Sequence, residues 1–156
     1  IRYILAEHVV EHIMPAEALR FFREARRVLM DGGCLRVAVP CVDLIADRYD
    51  QEYSKFLRRM KKGGTLEDAM ESIICGWGHK AIWTTGALRA VLSSLGFAVA
   101  VVSCDTSQFD DLRNVNGHHH SIGVHANWVE TGVVEAVKRP EREQPHEFVV
   151  LHNMHG

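Results

Sequence analysis

The chain has 156 residues, of which 47% are apolar and 24% charged, and its net charge at pH 7 is −2. This length is about that of one domain and is sufficient to bury a core. The mixed charge, with neither a basic stripe nor interleaved aromatic residues, gives no electrostatic footprint for nucleic acid, and no apolar run approaches the roughly 20 residues of a membrane span.

The first part of the chain predicts a βαβ unit. Ile1 to Leu5 is an apolar stretch typical of a strand. From Pro15 to Leu29 apolar residues recur at spacings of three and four, which places them on one face of a helix. Gly32 with Gly33 supplies the positive φ that ends such a helix. Leu35 to Val39 is almost continuously apolar, as expected of a parallel strand covered on both faces.

A helical insert is expected after this unit, over residues 43–76. Apolar residues at helical spacing predict one helix from Asp43 to Met60, broken at Lys61 to Gly64. A second helix is expected from Thr65 to Cys75, with Thr65 as its N-cap.

Three patches of the sequence resemble class I S-adenosylmethionine-dependent methyltransferases. AEHVVEHI followed by EALRFFREARRVLMDGGCLRVAVP is similar to that family from its fourth strand, through the following helix, to its fifth strand. Gly78 to Cys104, GHKAIWTTGALRAVLSSLGFAVAVVSC, resembles the family's last helix and the strand after it. Thr131 to Pro140, TGVVEAVKRP, resembles its final strand. Met30 and Asp31 depart from the family pattern, in which Lys-Pro is common at this turn.

The resemblance implies a partial three-layer, Rossmann-like α/β fold over residues 1–140. The family's fourth and fifth strands would be parallel, and the last two strands would form an antiparallel pair at the edge of the sheet. The insert would be either a cap that faces the substrate or a helical hairpin that only covers the sheet. In the tail, residues 141–156, the segment Phe148 to Leu151 is expected to add an edge strand or to dock on a neighbouring subunit.

The resemblance also implies S-adenosylmethionine as the cofactor of the complete protein and methyl transfer to an acceptor that the sequence does not reveal. Ala6, Glu7 and His8 match positions where the family's chain passes the cofactor. The glycine-rich loop that holds the cofactor in the family has no counterpart in these residues, so the family's first three strands are expected upstream of Ile1. The isolated chain is therefore expected to be inactive and to bind little cofactor. No catalytic residue is assigned.

A non-catalytic oligomerisation or regulatory module with the same fold is the alternative function. With the first three strands missing, Ile1 to Leu5 would be an exposed apolar edge, which favours pairing with another chain. We therefore expect a homo-oligomer through this edge.

The histidines suggest a remote third possibility, a metal-binding protein. His8-Val9-Val10-Glu11-His12 matches the H-x-x-E-H motif of inverted zinc peptidases, in which two histidines one helical turn apart hold the ion. Pro15 follows His12 too closely to leave room for the helix that this chemistry needs. Glu67 and Glu71 are candidate third ligands, which nothing else in the sequence supports.

A second group of histidines, His118 to His120 with His125, could gather three imidazoles around a metal. We favour a polar loop from Asn116 to Trp128, rich in Asn and Gly turn formers, and assign no metal ligand. For His79 and Trp83, packing of the tryptophan against the helical insert is favoured over contact with a substrate.

The cysteines point to a reducing compartment. Cys34, Cys41, Cys75 and Cys104 are far apart and lack the C-x-x-C spacing. Free thiols are therefore favoured over disulfides or metal ligands, and a cytoplasmic location is expected.

Overall fold

The computed structural model describes residues 1–140, so the edge strand expected at Phe148 to Leu151 lies outside the described residues. The chain begins with strand β1 (Tyr3–Glu7), helix α1 (Pro15–Val28) and strand β2 (Cys34–Pro40), and β1 and β2 pair in parallel. This confirms the predicted βαβ unit. A short 3₁₀ segment, Val10–His12, connects β1 to α1.

Helix α1 begins and ends where its sequence predicts. Pro15 occupies the first helical turn, where its missing N–H would have no partner, and Glu17 accepts a hydrogen bond of 3.0 Å from the backbone N–H of Met14. The apolar face, which includes the fully buried Phe22, packs on the sheet. After the helix, Gly32 adopts a φ of +75°, which few other residues tolerate.

The insert contains three helices: α2 (Val42–Arg48), α3 (Gln51–Arg59) and α4 (Leu66–Cys75). The prediction of one helix from Asp43 to Met60 is therefore wrong. The break lies at Asp50, whose carboxylate accepts a hydrogen bond of 2.9 Å from the backbone N–H of Tyr53 and so caps a new helix. Thr65 caps α4 as predicted, in a reciprocal pair with Asp68.

The rest of the described chain contains helix α5 (Thr85–Ser94), strand β3 (Phe97–Val102), helices α6 (His119–Ile122) and α7 (Val124–Glu130), and strand β4 (Thr131–Lys138). The predicted loop from Asn116 to Trp128 is therefore mostly two short helices. The strand order is β1-β2-β4-β3, and β4 is antiparallel to both of its neighbours. This confirms the antiparallel pair expected at the edge of the sheet.

The two faces of the sheet are covered differently. On one face, Leu35, Val37 and Val134 pack against α1 and α5 in the main hydrophobic core. On the other face, Arg36 lies opposite Glu135 on β4, and both side chains are fully buried under residues 103–117.

A second hydrophobic core lies among the helices of the insert and α7, and it contains Ile45, Tyr53, Leu57, Ala69, Ile73, Ala126 and Val129. Helix α7 leads directly into β4, so this core fixes the insert against the end of the sheet. Within residues 1–140, no helix is both long enough and apolar enough to cross a bilayer.

Candidate functional site

The carboxyl ends of the parallel strands β1 and β2 lie side by side, since Glu7 is in register with Ala38. Ligands of open α/β sheets bind at this end of the strands. Ala6, Glu7 and His8, the residues predicted to lie near a cofactor, are therefore at the expected edge of the sheet.

Glu7 anchors the segment that precedes α6. Its carboxylate accepts hydrogen bonds from the backbone N–H groups of Gly117 at 2.9 Å and His118 at 3.1 Å, and from the side chain of Asn116 at 3.2 Å. Burial opposes ionisation of Glu7, but these hydrogen bonds outweigh it and lower the pKa of Glu7 below its usual range. The ionised form of the carboxylate is therefore favoured, and both of its oxygens already accept hydrogen bonds.

His8 lies just beyond β1 in the left-handed region, with a φ of +51°, and its backbone N–H donates to Ala38 at 2.8 Å. This turn directs the imidazole between two groups: Nδ1 lies 3.3 Å from a carboxylate oxygen of Glu11, and Nε2 lies 3.3 Å from the hydroxyl of Thr131. The ring also stacks on that of His118, with 3.6 Å between their centroids.

A chain of titratable groups continues from this histidine pair into the insert. His118 Nε2 lies 3.5 Å from one carboxylate oxygen of Glu130, and the other oxygen accepts a hydrogen bond of 2.6 Å from the hydroxyl of Tyr53. Burial, followed by the charge of Glu130, raises the pKa of Tyr53 well above its usual range, so this hydroxyl remains a donor.

His8, His118, Glu130 and Tyr53 form one cluster of titratable groups. A second cluster lies beside it and consists of Glu11, His12 and His79. One potential ligand atom from each of these residues lies within 4.8 Å of the other two. Glu67 and Glu71, the third ligands considered from the sequence, are not in this cluster. The sequence does not indicate His79 as a ligand. It is far along the chain from the H-x-x-E-H motif, and no local spacing relates His79 to that motif.

A cavity of about 200 Å³ opens beside both clusters. Its walls include His8, Glu11 and His79 on one side and Tyr53, Phe56 and Lys62 of the insert region on the other. The ammonium of Lys62 lies 4.6 Å from the ring centre of Trp77, another wall residue.

A larger cavity, of about 710 Å³, lies between α2, α7 and the strands β3 and β4. Its polar walls include Arg48, Asn116 and Asn127, and the exposed indole of Trp128 forms part of the rim. The guanidinium of Arg48 lies 4.9 Å from the ring centre of Trp128 and donates a hydrogen bond of 2.6 Å to that residue's carbonyl.

The structure separates the histidines of the predicted His118 to His125 group. His118 faces His8, whereas His119 and His120 line the larger cavity. His125 lies 3.0 Å from a carboxylate oxygen of Asp50. Within the described residues, this group therefore does not converge on one metal position.

Two further predictions concern side chains near these sites. Trp83 is buried and packs edge-on against Phe22 in the sheet core, rather than against the helical insert as predicted. The four cysteines are free thiols, as predicted. Burial raises the pKa of Cys34 and of Cys41 to about 12.

No protein-family model and no curated protein matches this sequence. Among solved structures, it is similar to a chain in a complex between a Haloferax volcanii methyltransferase activator and a methyltransferase. The match has a TM-score of 0.50 and 12% identity, and it covers 92% of this chain and 56% of the matched chain.

Two other similar structures have lower TM-scores. A SAM-dependent methyltransferase from Archaeoglobus fulgidus matches with a TM-score of 0.49 and 13% identity, over 88% of this chain and 59% of that one. The small RNA methyltransferase HEN1 matches with a TM-score of 0.48 and 14% identity, over 92% of this chain and 15% of that one. This chain therefore spans less than two thirds of each of these proteins. Its strand order and the similarity at a TM-score of 0.50 show that the chain has a Rossmann-like methyltransferase fold.

Proposed function

We propose that this chain is the carboxyl-terminal part of an S-adenosylmethionine-dependent methyltransferase. The observation that supports this most is the strand order β1-β2-β4-β3 with β4 antiparallel, since it agrees with the order implied by the three sequence patches. The chain spans only 56% of the matched chain in the Haloferax volcanii complex, the match with a TM-score of 0.50. Methyl transfer by the whole protein, of which this chain would be one part, therefore belongs to the proposal.

In this proposal, Ala6 and His8 form part of the wall of the cofactor site. Both lie at the carboxyl end of β1, where α/β sheets bind their ligands. Glu7 has a different role, because both of its oxygens are already occupied by the segment from Asn116 to His118. We assign Glu7 to positioning that segment, and leave direct contact with the cofactor to its two neighbours.

The insert acts as a cap that faces the substrate, rather than as a simple cover of the sheet. Its residues line both cavities: Leu44 and Arg48 contribute to the larger one, and Tyr53 and Phe56 to the smaller one. A cap that lines a cavity can select an acceptor by shape, while the sheet edge holds the cofactor. Methyl transfer then depends on the relative placement of the two reactants.

The coding sequence upstream of Ile1 provides the first test. A glycine-rich loop followed by an acidic strand end supports the methyltransferase, whereas a stop codon or an unrelated domain supports the non-catalytic module. Isothermal titration of the 156-residue chain with S-adenosylmethionine is expected to show no binding at micromolar protein. A dissociation constant below about 100 µM, near −5.5 kcal/mol, contradicts the need for upstream residues.

The second test uses a longer product of the same gene that binds the cofactor. His8→Leu is expected to weaken this binding about tenfold, which corresponds to about 1.4 kcal/mol. His125→Leu is the matched control, because His125 pairs with Asp50 away from the end of β1. Equal affinity in the His8→Leu variant and the parent removes His8 from the cofactor site.

We also propose that two copies of the isolated 156-residue chain associate through β1. Within residues 1–140, β1 pairs with a strand on one side only, and Leu5 is 42% exposed. Leu5→Lys is expected to convert a dimer into a monomer of 17.6 kDa in light scattering, because a charge on an edge strand opposes pairing. Val101→Lys on β3, the opposite edge, is the control. A parent chain that is already monomeric contradicts the proposal.

A further inference from the structure

Glu11, in the short segment between β1 and α1, has a buried carboxyl group. Its side chain is 2% exposed. Within residues 1–140, neither carboxylate oxygen has a hydrogen-bond partner. A buried carboxylate is strongly disfavoured unless a cation or hydrogen-bond donors compensate its charge. The fold therefore maintains an acceptor group whose natural partner is a positive charge.

The groups nearest to this carboxylate are imidazoles. His8 Nδ1 and His12 Nε2 lie 3.3 Å and 3.8 Å from the same oxygen of Glu11. The ring of His79 lies against that of His12, with 4.9 Å between their centroids. Neutral imidazole nitrogens and a carboxylate oxygen are typical ligands of divalent transition metals.

The backbone brings His79 to this position. The carbonyl of Glu11 accepts hydrogen bonds from the backbone N–H groups of Lys80 at 2.7 Å and Ala81 at 3.1 Å. These two bonds fasten the segment after α4 directly to the segment that carries Glu11 and His12. The cluster is therefore assembled by main-chain contacts as well as by side-chain packing.

A hydrogen bond also sets the tautomer of His79. Its Nδ1 lies 2.7 Å from the carbonyl oxygen of Ile73. A carbonyl can only accept, so Nδ1 carries the proton and, in the neutral ring, Nε2 keeps a free lone pair. This arrangement, in which the second ring nitrogen donates to a carbonyl, is the usual one for histidines that bind metals.

We propose that Glu11, His12 and His79 bind one divalent transition-metal ion of the Zn²⁺ type. Their ligand atoms lie within 4.8 Å of one another. A tetrahedral ion with bonds of about 2.0–2.2 Å requires ligand atoms about 3.3–3.6 Å apart, so small side-chain rotations complete the site. Three protein ligands leave a fourth position for water or a ligand, and all three residues line the cavity of about 200 Å³. A set of two nitrogens and one oxygen favours Zn²⁺ over Mg²⁺ or Ca²⁺, which prefer oxygen ligands.

This site goes beyond the proposed function and differs from the peptidase motif considered in the sequence. In that motif two histidines on one α-helix bind the ion and the glutamate acts as a base. Here the connecting segment is a three-residue 3₁₀ turn, and His8 precedes it in a left-handed conformation. The glutamate becomes a ligand instead, and the second histidine comes from the segment that follows α4.

Metal binding is tested on the 156-residue chain after treatment with a chelator and dialysis. Titration with Zn²⁺ is expected to show one site per chain, and Co²⁺ in its place is expected to give a visible d–d spectrum. His12→Gln and His79→Gln should each weaken Zn²⁺ binding by more than about 100-fold, since loss even of an outer-shell partner costs 10–100-fold. Mg²⁺ should bind more weakly than Zn²⁺.

His119→Gln is the matched control, because His119 lines the other cavity. Its affinity for Zn²⁺ is expected to equal that of the parent chain. Loss of binding in His119→Gln but not in His79→Gln would assign the ion to the His118 to His120 run and overturn the proposal. Failure of the parent chain to bind Zn²⁺ saturably would do the same.

A thermal measurement separates metal binding from a simple ion pair with His8. In the metal-free protein, Glu11→Gln is expected to raise the melting temperature, because it replaces a buried carboxylate whose oxygens have no hydrogen-bond partner within residues 1–140. The same variant should lose the rise in melting temperature that Zn²⁺ gives the parent chain. A lower melting temperature in metal-free Glu11→Gln would show that the contact with His8 already stabilises Glu11 without a metal, and would contradict the proposal.

Discussion

Replacing Arg36 by methionine tests the buried ion pair in the middle of the sheet. Arg36 and Glu135 are fully buried, and their charged atoms lie 2.7 Å apart. All five N–H donors of the guanidinium are used: the other four bonds reach the side chain of Asn116 and the carbonyls of Ser103, Cys104 and Thr106. Arg36→Met leaves the Glu135 charge uncompensated and removes the partner of three carbonyls. We expect a loss of about 3–5 kcal/mol in the free energy of unfolding.

Urea denaturation followed by circular dichroism measures this loss, and Arg27→Met provides the matched control. Arg27 makes the same kind of ion pair with Glu24, also at 2.7 Å, but both side chains are more than half exposed. Such an exposed pair contributes much less, because water screens both charges and ordering the two side chains costs entropy. If the two variants lose similar amounts of stability, burial does not determine the strength of the Arg36 pair and the reasoning is wrong.

Three other predictions concern single positions. Glu7→Gln is expected to destabilise the protein near neutral pH; because hydrogen bonds lower the pKa of Glu7 in the folded state, the deficit should be complete above pH 4.5 and shrink as the pH falls below it, as measured by urea denaturation. With a thiol reagent at pH 8, exposed Cys75 should react rapidly while Cys34 and Cys41 stay protected, so Cys75→Ser should remove the fast phase; an unchanged fast phase would contradict the assignment. Gly132→Ala should cost about 1–3 kcal/mol, because a Cβ there would overlap the sulfur of Cys41, and unchanged urea stability would refute this packing.

The spacing of apolar residues predicted a helix well where one uninterrupted repeat corresponds to one helix, as in α1. It failed in the insert because Ile45, Tyr49, Tyr53 and Leu57 follow one another at spacings of four across the break between α2 and α3. The signal that could have located the break is Asp50, which is a favourable N-cap residue. The Thr65 cap was predicted from that same property.

The clusters of charged side chains could not be predicted from local spacing. Arg36 and Glu135 each interrupt an apolar strand, and only the register of β2 with β4 shows that they face each other. Likewise, His79 joins Glu11 and His12 through hydrogen bonds between distant backbone segments. The carboxyl end of β1 was predictable because it depends on the βαβ unit, whose residues are contiguous.

The contacts of Asn116 protect the Asn116-Gly117 dipeptide from deamidation while the chain is folded. Asn-Gly sequences deamidate readily, because the glycine nitrogen attacks the asparagine side-chain carbonyl to form a succinimide. In the folded chain, the N–H of Gly117 donates to Glu7 and the side-chain oxygen of Asn116 accepts from Arg36. These two bonds hold the reacting atoms in place, and Asn116 is 2% exposed. Deamidation at this dipeptide therefore requires the segment to open, so its rate reports local unfolding beside the buried arginine.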